Sequence, residues 1–339
     1  MKEITVEKAV GTVLAHDLTQ IIPGEYKGPK FKKGHVIKEE DIPVLLSMGK
    51  KHLFVLEKDD TDVHENEAAD RIASKAAGKG IILSEPSEGK IELRAAEDGL
   101  LKIDRERLFK LIAQDEIMFA TIHENTVVKK GQKLAGTRII PLFVKEDIMV
   151  KAESVLAAGP IIEVRPLRNM KVGIVTTGSE VYSGIIKDAF GPVLVKKFGD
   201  LGSTVVKQLF ADDDDDMIAD CIKQLIDEGM DIIGITGGMS VDPDDRTPSG
   251  IRKAGGDVVS YGAPVLPGAM FMLSYIGDVP VVGLPGCVMY SRTSIFDLIV
   301  PRLLAGEHIT KDDINRLAHG GFCLNCKECT YPVCGFGKG

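Results

Sequence analysis

Three short apolar runs in the second half of the chain stop at glycine turns: Thr177-Gly178-Ser179, Thr236-Gly237-Gly238-Met239-Ser240 and Leu284-Pro285-Gly286. Parallel strands that end this way bring backbone N–H groups and helix N-termini to one sheet edge, where they bind anions. Carboxylates follow two of the turns, Glu180 after the first and Asp242, Asp244 and Asp245 after the second. Amides that hold an anion, set beside acids that hold a divalent cation, suit a phosphorylated ligand bound with its metal. One such turn is weak evidence, because any tight strand-to-helix connection needs a residue free to adopt positive φ. Three in one sheet, two of them with acids, favour the ligand site.

The run Asp212-Asp213-Asp214-Asp215-Asp216 lies between a strand and a helix. Acids there complement the helix dipole and cap its N-terminus, but one or two suffice for that, and five in succession repel one another. Asp212 or Asp213, nearest the strand end, is therefore expected at the ligand edge, with the rest solvated. Such a carboxylate can hold Mg²⁺ or accept hydrogen bonds from the N–H groups of a heterocycle.

A separate set of ligating groups closes the chain. Cys323, Cys326, Cys329 and Cys334 form C-x2-C-x2-C-x4-C, four thiols within twelve residues. In a cytoplasmic chain this crowding favours a metal over disulfides, either tetrahedral zinc or an iron–sulfur cluster. The three cysteines at x2 spacing match a ferredoxin-type run, and the last spacing departs from it. His319 reads as an ordinary polar residue and Cys221 as core. Cys287 follows a glycine turn but has no histidine or second cysteine nearby to make it a nucleophile.

The elements that must position these groups change character along the chain. Residues 1–57 read as short β with turns at Gly24, Gly28 and Gly34, and a brief helix at Ile42–Ser47. Residues 58–165 read as α+β: a charged connector at Asp59–His64, a helix from Glu65 to Ala76, a second β-rich stretch and a helix from Arg105 to Gln114. From residue 166 to 306, apolar strands alternate with helical spacing. Strands fall at Lys171–Thr176, Thr204–Phe210, Asp231–Ile235, Val258–Ser260, Phe271–Ile276 and Val279–Leu284. Helices fall at Ile185–Leu201, Asp216–Gly229, from Thr247 as N-cap to Ala254, and Tyr290–Leu304. The alternation implies an α/β fold with crossover connections and a parallel sheet with both faces covered. Residues 307–339 form the cysteine-rich tail.

A net charge of −8 and the absence of tryptophan exclude a general nucleic-acid binder, which needs clustered cations and stacking platforms. No apolar stretch of about 20 residues is present to span a membrane. A cytoplasmic location is expected.

The ordered set Thr177-Gly178-Ser179-Glu180, Asp212, Gly237-Gly238-Met239-Ser240-Val241, Asp245-Arg246-Thr247-Pro248, Pro267-Gly268 and Gly283-Leu284-Pro285-Gly286 resembles the molybdopterin-binding domain. That domain is shared by the molybdopterin adenylyltransferases and the molybdopterin molybdenumtransferases of molybdenum cofactor biosynthesis. The resemblance covers about residues 170–306 and implies a parallel three-layer domain, preceded here by an α+β domain of small sheets. Asp-x-Thr-Pro looks like the adenylyltransferase version, Gly-Leu-Pro-Gly like the molybdenumtransferase one. Leu14-Ala15-His16-Asp17 loosely resembles the opening of the molybdenumtransferases.

By this resemblance the ligand is molybdopterin or adenylylated molybdopterin, with molybdate as co-substrate, Mg²⁺ as cofactor, and a molybdoenzyme as eventual client. The turns, with Thr236, Asp242, Pro267, Gly268, Pro285 and Gly286, would hold the terminal phosphate, and Glu180, Asp212 and Asp245 the cation or activated intermediate. The chain departs from the molybdenumtransferases in lacking an Asp-Gly-Tyr-Ala motif. It also carries Leu266-Pro267-Gly268-Ala269-Met270 where they have Lys-Pro-Gly-Lys-Pro. A homo-oligomer would let lysines from elsewhere, such as Lys27, Lys30 or Lys32, supply the missing charge. The rival expectation is a noncatalytic carrier or maturation factor that binds the finished cofactor.

Overall fold

The computed structural model describes residues 2–22, 26–56 and 62–339. The chain divides into two compact units. The first comprises Met1–Arg94, Ile103–Ile122 and Lys133–Glu163, and the second Ala95–Lys102, His123–Gln132 and Val164–Gly339. The segments expected as separate at residue 57 thus share one unit, while two excursions from the expected α+β stretch join the other. One reason is direct contact. A Cβ on Gly99 would lie 2.4 Å from the carbonyl oxygen of Arg165, so only glycine lets these backbones meet.

The first unit is built from small sheets. Lys2–Thr5 pairs antiparallel with His52–Val55, and Leu18–Ile22 with Tyr26–Phe31. Val6, Leu14, Phe31, Ile37, Leu45 and Leu53 close a core between them. A four-stranded sheet, ordered 81–83, 91–95, 133–139 and 117–121, takes the helix Glu65–Ala76 on one face, where Ala69 and Ala73 meet Ile91. Part of the expected connector is a strand, since Asp62–His64 pairs with Phe143–Lys145. The rest of that connector, and the turn at Gly24, lie outside the described residues.

His64 caps the helix that follows it. Its Nδ1 accepts the Asn66 N–H at 3.2 Å, and its Nε2 lies 3.1 Å from the Ala15 carbonyl, so the neutral Nε2–H tautomer satisfies both contacts. Burial, with the Lys33 cation adding to it, lowers the imidazole to a pKa of about 4. Because the folded value lies below the unfolded one, stability is full above about pH 6.5 and falls as the pH drops toward 4, by up to about 3 kcal/mol. Amide exchange in the Glu65–Ala76 helix should therefore accelerate over that window in the native protein and much less in His64→Gln. Equal pH profiles in the two proteins would contradict the assignment.

The second unit holds a six-stranded sheet ordered 204–211, 171–177, 232–236, 279–284, 272–276 and 257–261. The first four strands are parallel; 272–276 runs against them, joined to 279–284 by the two-residue turn Gly277-Asp278, and 257–261 pairs antiparallel with 272–276. Side chains alternate between two cores. Val172, Ile174, Ile232 and Val282 face the helices Phe190–Asp200 and Ile295–Leu304. Val175, Ile233, Ile235 and Val281 face Asp215–Asp227 and Thr247–Lys253. This is the three-layer α/β domain expected from the strand-helix alternation. Burial of both faces explains why its strands read as continuous apolar runs.

Three helix boundaries differ from expectation. The helix expected from residue 185 starts at Phe190, which places Gly191-Pro192 in its first turn, where proline costs no hydrogen bond. The one expected over Tyr290–Leu304 is two pieces, Cys287–Tyr290 and Ile295–Leu304. Ser294 and Asp297 form a capping box that starts the second afresh. Thr247 is already helical and does not cap its own helix. Among the described residues no helix is long and apolar enough to cross a membrane.

Candidate functional site

Register brings the expected turns together. Thr177 pairs with Ala211, Thr176 with Thr236, and Thr236 with Leu284, so four parallel strands end level and their connections emerge at one edge. The middle turn adopts left-handed conformations at Gly237 (φ 89°) and Gly238 (φ 49°). Thr247 secures it, with its hydroxyl donating to the Gly237 carbonyl at 2.8 Å and lying 3.0 Å from the Thr177 hydroxyl. Thr177 in turn donates to the Thr236 carbonyl at 3.2 Å. Thr177, Thr236 and Thr247 are all buried, so these threonines, two of them expected to touch the ligand, brace the turn from behind.

A cleft of about 300 Å³ opens in front of that turn. Gly237, Gly238, Met239 and Ser240 form one wall and Pro285 and Gly286 another, with Asp245 at the rim. Phe190 and Met270 complete the lining. Sequence reading missed both, since an aromatic at a helix start and a methionine after Pro-Gly carry no polar signal. Among the described residues no lysine or arginine lines the cleft. Tyr261 donates to the carbonyls of Met239 and Ser240 at 3.1 and 3.0 Å and fixes the loop from outside.

The expected acids form two groups. Asp245 accepts the Asp242 N–H at 3.0 Å, and its own N–H bonds the Asp242 carbonyl, closing the loop that carries them both. Beside the first strand, Ser179 donates its hydroxyl to Asp212 at 2.6 Å and to Asp213 at 3.0 Å, and its N–H to Asp213 at 2.9 Å. The Ser179 hydroxyl and the Asp213 N–H hold the Asp212 carboxyl below the usual carboxylate range. Gly178 (φ 129°) opens this turn, and Glu180 follows in the exposed helix Ser179–Tyr182. Farther along the acidic run, Asp214 caps the Asp215–Asp227 helix through the Met217 N–H, Asp215 takes the Ser249 hydroxyl and Asp216 pairs with Lys253. Two acids thus lie at the edge, while the three expected to be merely solvated serve the helix through Met217, Ser249 and Lys253.

Behind the cleft the Leu266–Pro267 bond is cis, and the Pro267 carbonyl accepts the Ile295 N–H at 3.1 Å. A Cβ on Gly268 would lie 2.5 Å from that of Ile295, so Pro267 and Gly268 lock this loop against a helix and do not line the cleft. Cys287 begins the short helix after Gly286, where burial pushes its thiol pKa up, away from nucleophilic character.

The four tail cysteines line a second, larger cavity of about 620 Å³. Size alone does not make it the site expected at the glycine turns, because the strand-end turns and Asp245 are not in its wall. Among the described residues no three His, Cys, Asp or Glu side chains stand close enough to hold a single metal ion.

Residues 173–305 match the model of a family described as a probable molybdopterin binding domain. Residues 3–57 match a domain of unknown function, DUF8806. No curated protein matches the chain. Among solved structures it is similar to the molybdopterin biosynthesis enzyme MoaB from Thermus thermophilus, at 20% identity over 41% of this chain and 98% of that one, with a TM-score of 0.34. It is likewise similar to the tungsten cofactor synthesizing protein MoaB from Pyrococcus furiosus, at 20% identity over 41% and 96%, TM-score 0.33. A longer match is to the molybdopterin biosynthesis MoeA protein from Pyrococcus horikoshii, at 18% identity over 90% of this chain and 74% of that one, TM-score 0.35.

Proposed function

We propose that the chain binds molybdopterin, or its adenylylated form, in the cleft between the Gly237–Ser240 turn and Pro285-Gly286, and assists Mg²⁺-dependent insertion of molybdate in the cytoplasm. The observation that carries this reading is the level ending of four parallel strands, which turns the backbone of Gly237-Gly238 toward a cleft rimmed by Asp245. The ligand's phosphate is placed against that turn, where backbone N–H groups meet it without a cationic side chain, and beside the Gly178–Ser179 turn, whose own N–H groups are taken by Ala211 and Asp213. Thr177 and Thr236 position the turn, and Pro267-Gly268 fixes the loop behind it.

Mg²⁺ fits the donor set. It keeps several waters and takes one or two carboxylates plus substrate phosphates, so it needs no preformed cage of three protein ligands. Asp245 at the rim, or Asp212 or Glu180 at the neighbouring turn, would supply that carboxylate, and Asp242 orients Asp245 by its N–H. When bound, the ion would offset charge developing on phosphate oxygens. The protein's own contribution is to fix the phosphate by amides and hold the loop carboxylate in place.

A second reading, a noncatalytic carrier that hands the cofactor to a molybdoenzyme, is favoured by the cleft lining, which among the described residues has no lysine or arginine to attract molybdate. A homo-oligomer in which another copy supplies cations would restore the first reading. The tail cysteines are placed as a separate metal centre, of zinc or of iron and sulfide.

The test is incubation of the purified protein with molybdopterin, with and without ATP, adenylylated molybdopterin, Mg²⁺ and molybdate, followed by product analysis. Turnover that requires adenylylated substrate and molybdate supports catalysis, and tight binding without turnover leaves the carrier. Asp245→Asn keeps an oxygen for the Asp242 N–H but loses the charge. It should cut turnover by roughly 10- to 100-fold with an unchanged melting curve. Full activity in that variant would remove Asp245 from the cation site.

A further inference from the structure

The tail from Cys323 onward has no helix or strand of its own, yet it is held at both ends. The Cys323 N–H donates to the Leu266 carbonyl at 2.8 Å and the Gly337 N–H to the Gly320 carbonyl at 2.9 Å. Phe336 is buried in the sheet's core, and Tyr331 donates its hydroxyl to the Asp297 carbonyl at 2.9 Å. Between these anchors the loop buries little, while all four cysteines of its twelve-residue span line one cavity. A loop so short of its own packing gains order from a group that cross-links it.

Spacing and surroundings decide between the two candidate groups. All four cysteines line one cavity of about 620 Å³, which leaves room for a group larger than a single ion. Cys323, Cys326 and Cys329 also repeat the x2 spacing of ferredoxin-type runs, with the fourth ligand farther along. Asn325, left-handed at φ 52°, points its N–H at the Cys323 sulfur at 3.4 Å, the hydrogen bond that tunes a cluster thiolate. Arg292 and Lys327 line the same cavity and offset the negative charge of a thiolate-bound cluster.

We propose that Cys323, Cys326, Cys329 and Cys334 ligate one iron–sulfur cluster in this cavity. The cluster abuts the cleft's own framework: Pro267 and Tyr290–Thr293 wall the cysteine cavity, while Met270 and Pro285-Gly286 wall the cleft. The proposal does not rest on the identity of the cleft's ligand, and its test contains no molybdopterin, so either can fail alone.

The full chain is purified without oxygen and reconstituted with ferrous iron and sulfide, and in a parallel sample with zinc alone. The expected result is iron and acid-labile sulfide bound in equal amounts, with a visible absorption band that dithionite bleaches. Cys326→Ser/Cys329→Ser, which alters only exposed thiols, should lose the band and keep its far-ultraviolet circular dichroism. Cys221→Ser should keep both. Stoichiometric zinc in colourless protein that refuses the cluster, no bound metal in either sample, or a band that survives the double variant would each overturn the assignment.

Discussion

Gly237→Ala is expected to abolish ligand binding and to destabilise the α/β domain by about 3–5 kcal/mol. Two effects combine. At φ 89° an L residue is strained, at a cost of about 1–2 kcal/mol. The new Cβ would also lie 2.2 Å from the Thr177 carbonyl oxygen and 2.7 Å from its hydroxyl. That carbonyl cannot retreat, because Thr177 ends a strand paired on the side of Ala211 and its hydroxyl is tied to Thr236 and Thr247. The turn must therefore move, and with it the amides that face the cleft. Gly255→Ala is the control. It shares a positive φ of 98°, but its Cβ would meet nothing within 4 Å, so it should lose about 1–2 kcal/mol and bind normally. Denaturant melts and ligand titration of both variants decide the matter. Near-native stability and binding in Gly237→Ala would contradict the packing described for the turn.

Arg302→Met should destabilise the same domain by about 3–5 kcal/mol. Arg302 is 8% exposed, and its guanidinium meets Glu307 at 2.8 Å and Asp313 at 2.7 Å. Glu307 also takes Lys102 at 2.7 Å. Arg302 thereby ties the last helix of the sheet's core to the short helix Lys311–Arg316 and, through Glu307, to the excursion Ala95–Lys102. Removing the cation takes the shared counter-charge from two carboxylates in a partly dry site. Because the cost lies in those uncompensated charges, Arg302→Met/Glu307→Leu should recover part of the loss, a coupling that a double-mutant cycle measures. Strictly additive losses would show that Arg302 acts by packing alone.

The sheet was legible because burial on both faces leaves its strands as apolar runs, two of which stop at glycines, Gly178 and Gly237, whose positive φ no other residue adopts cheaply. The edge position of Asp212 and Asp213 was legible for a similar local reason, their place next to the strand end, whereas the bonds of Asp215 to Ser249 and of Asp216 to Lys253 reach another helix and were not. What escaped was non-local. The roles of Thr177 and Thr236 depend on Thr247, 70 positions from the first of them in sequence, whose hydroxyl joins the two strand ends. The break at Ser291–Ser294 sits inside a helical pattern, and only the capping box of Ser294 and Asp297 marks it. The excursions 95–102 and 123–132 into the second unit depend on pairing between Gly99-Leu100 and Val127-Val128, which no local period announces. Phe190 and Met270 enter the cleft wall by tertiary placement alone.

The central claim is that the Gly237–Ser240 turn and Pro285-Gly286 form a molybdopterin site. Its most direct test is an anaerobic equilibrium titration of the full chain with molybdopterin, followed by ligand fluorescence, for the native protein, Gly255→Ala and Gly237→Ala. Saturable one-to-one binding, tightened by Mg²⁺, present in the first two and absent in the third, is the predicted result. No saturable binding by the native protein, or equal affinity in Gly237→Ala, would contradict it.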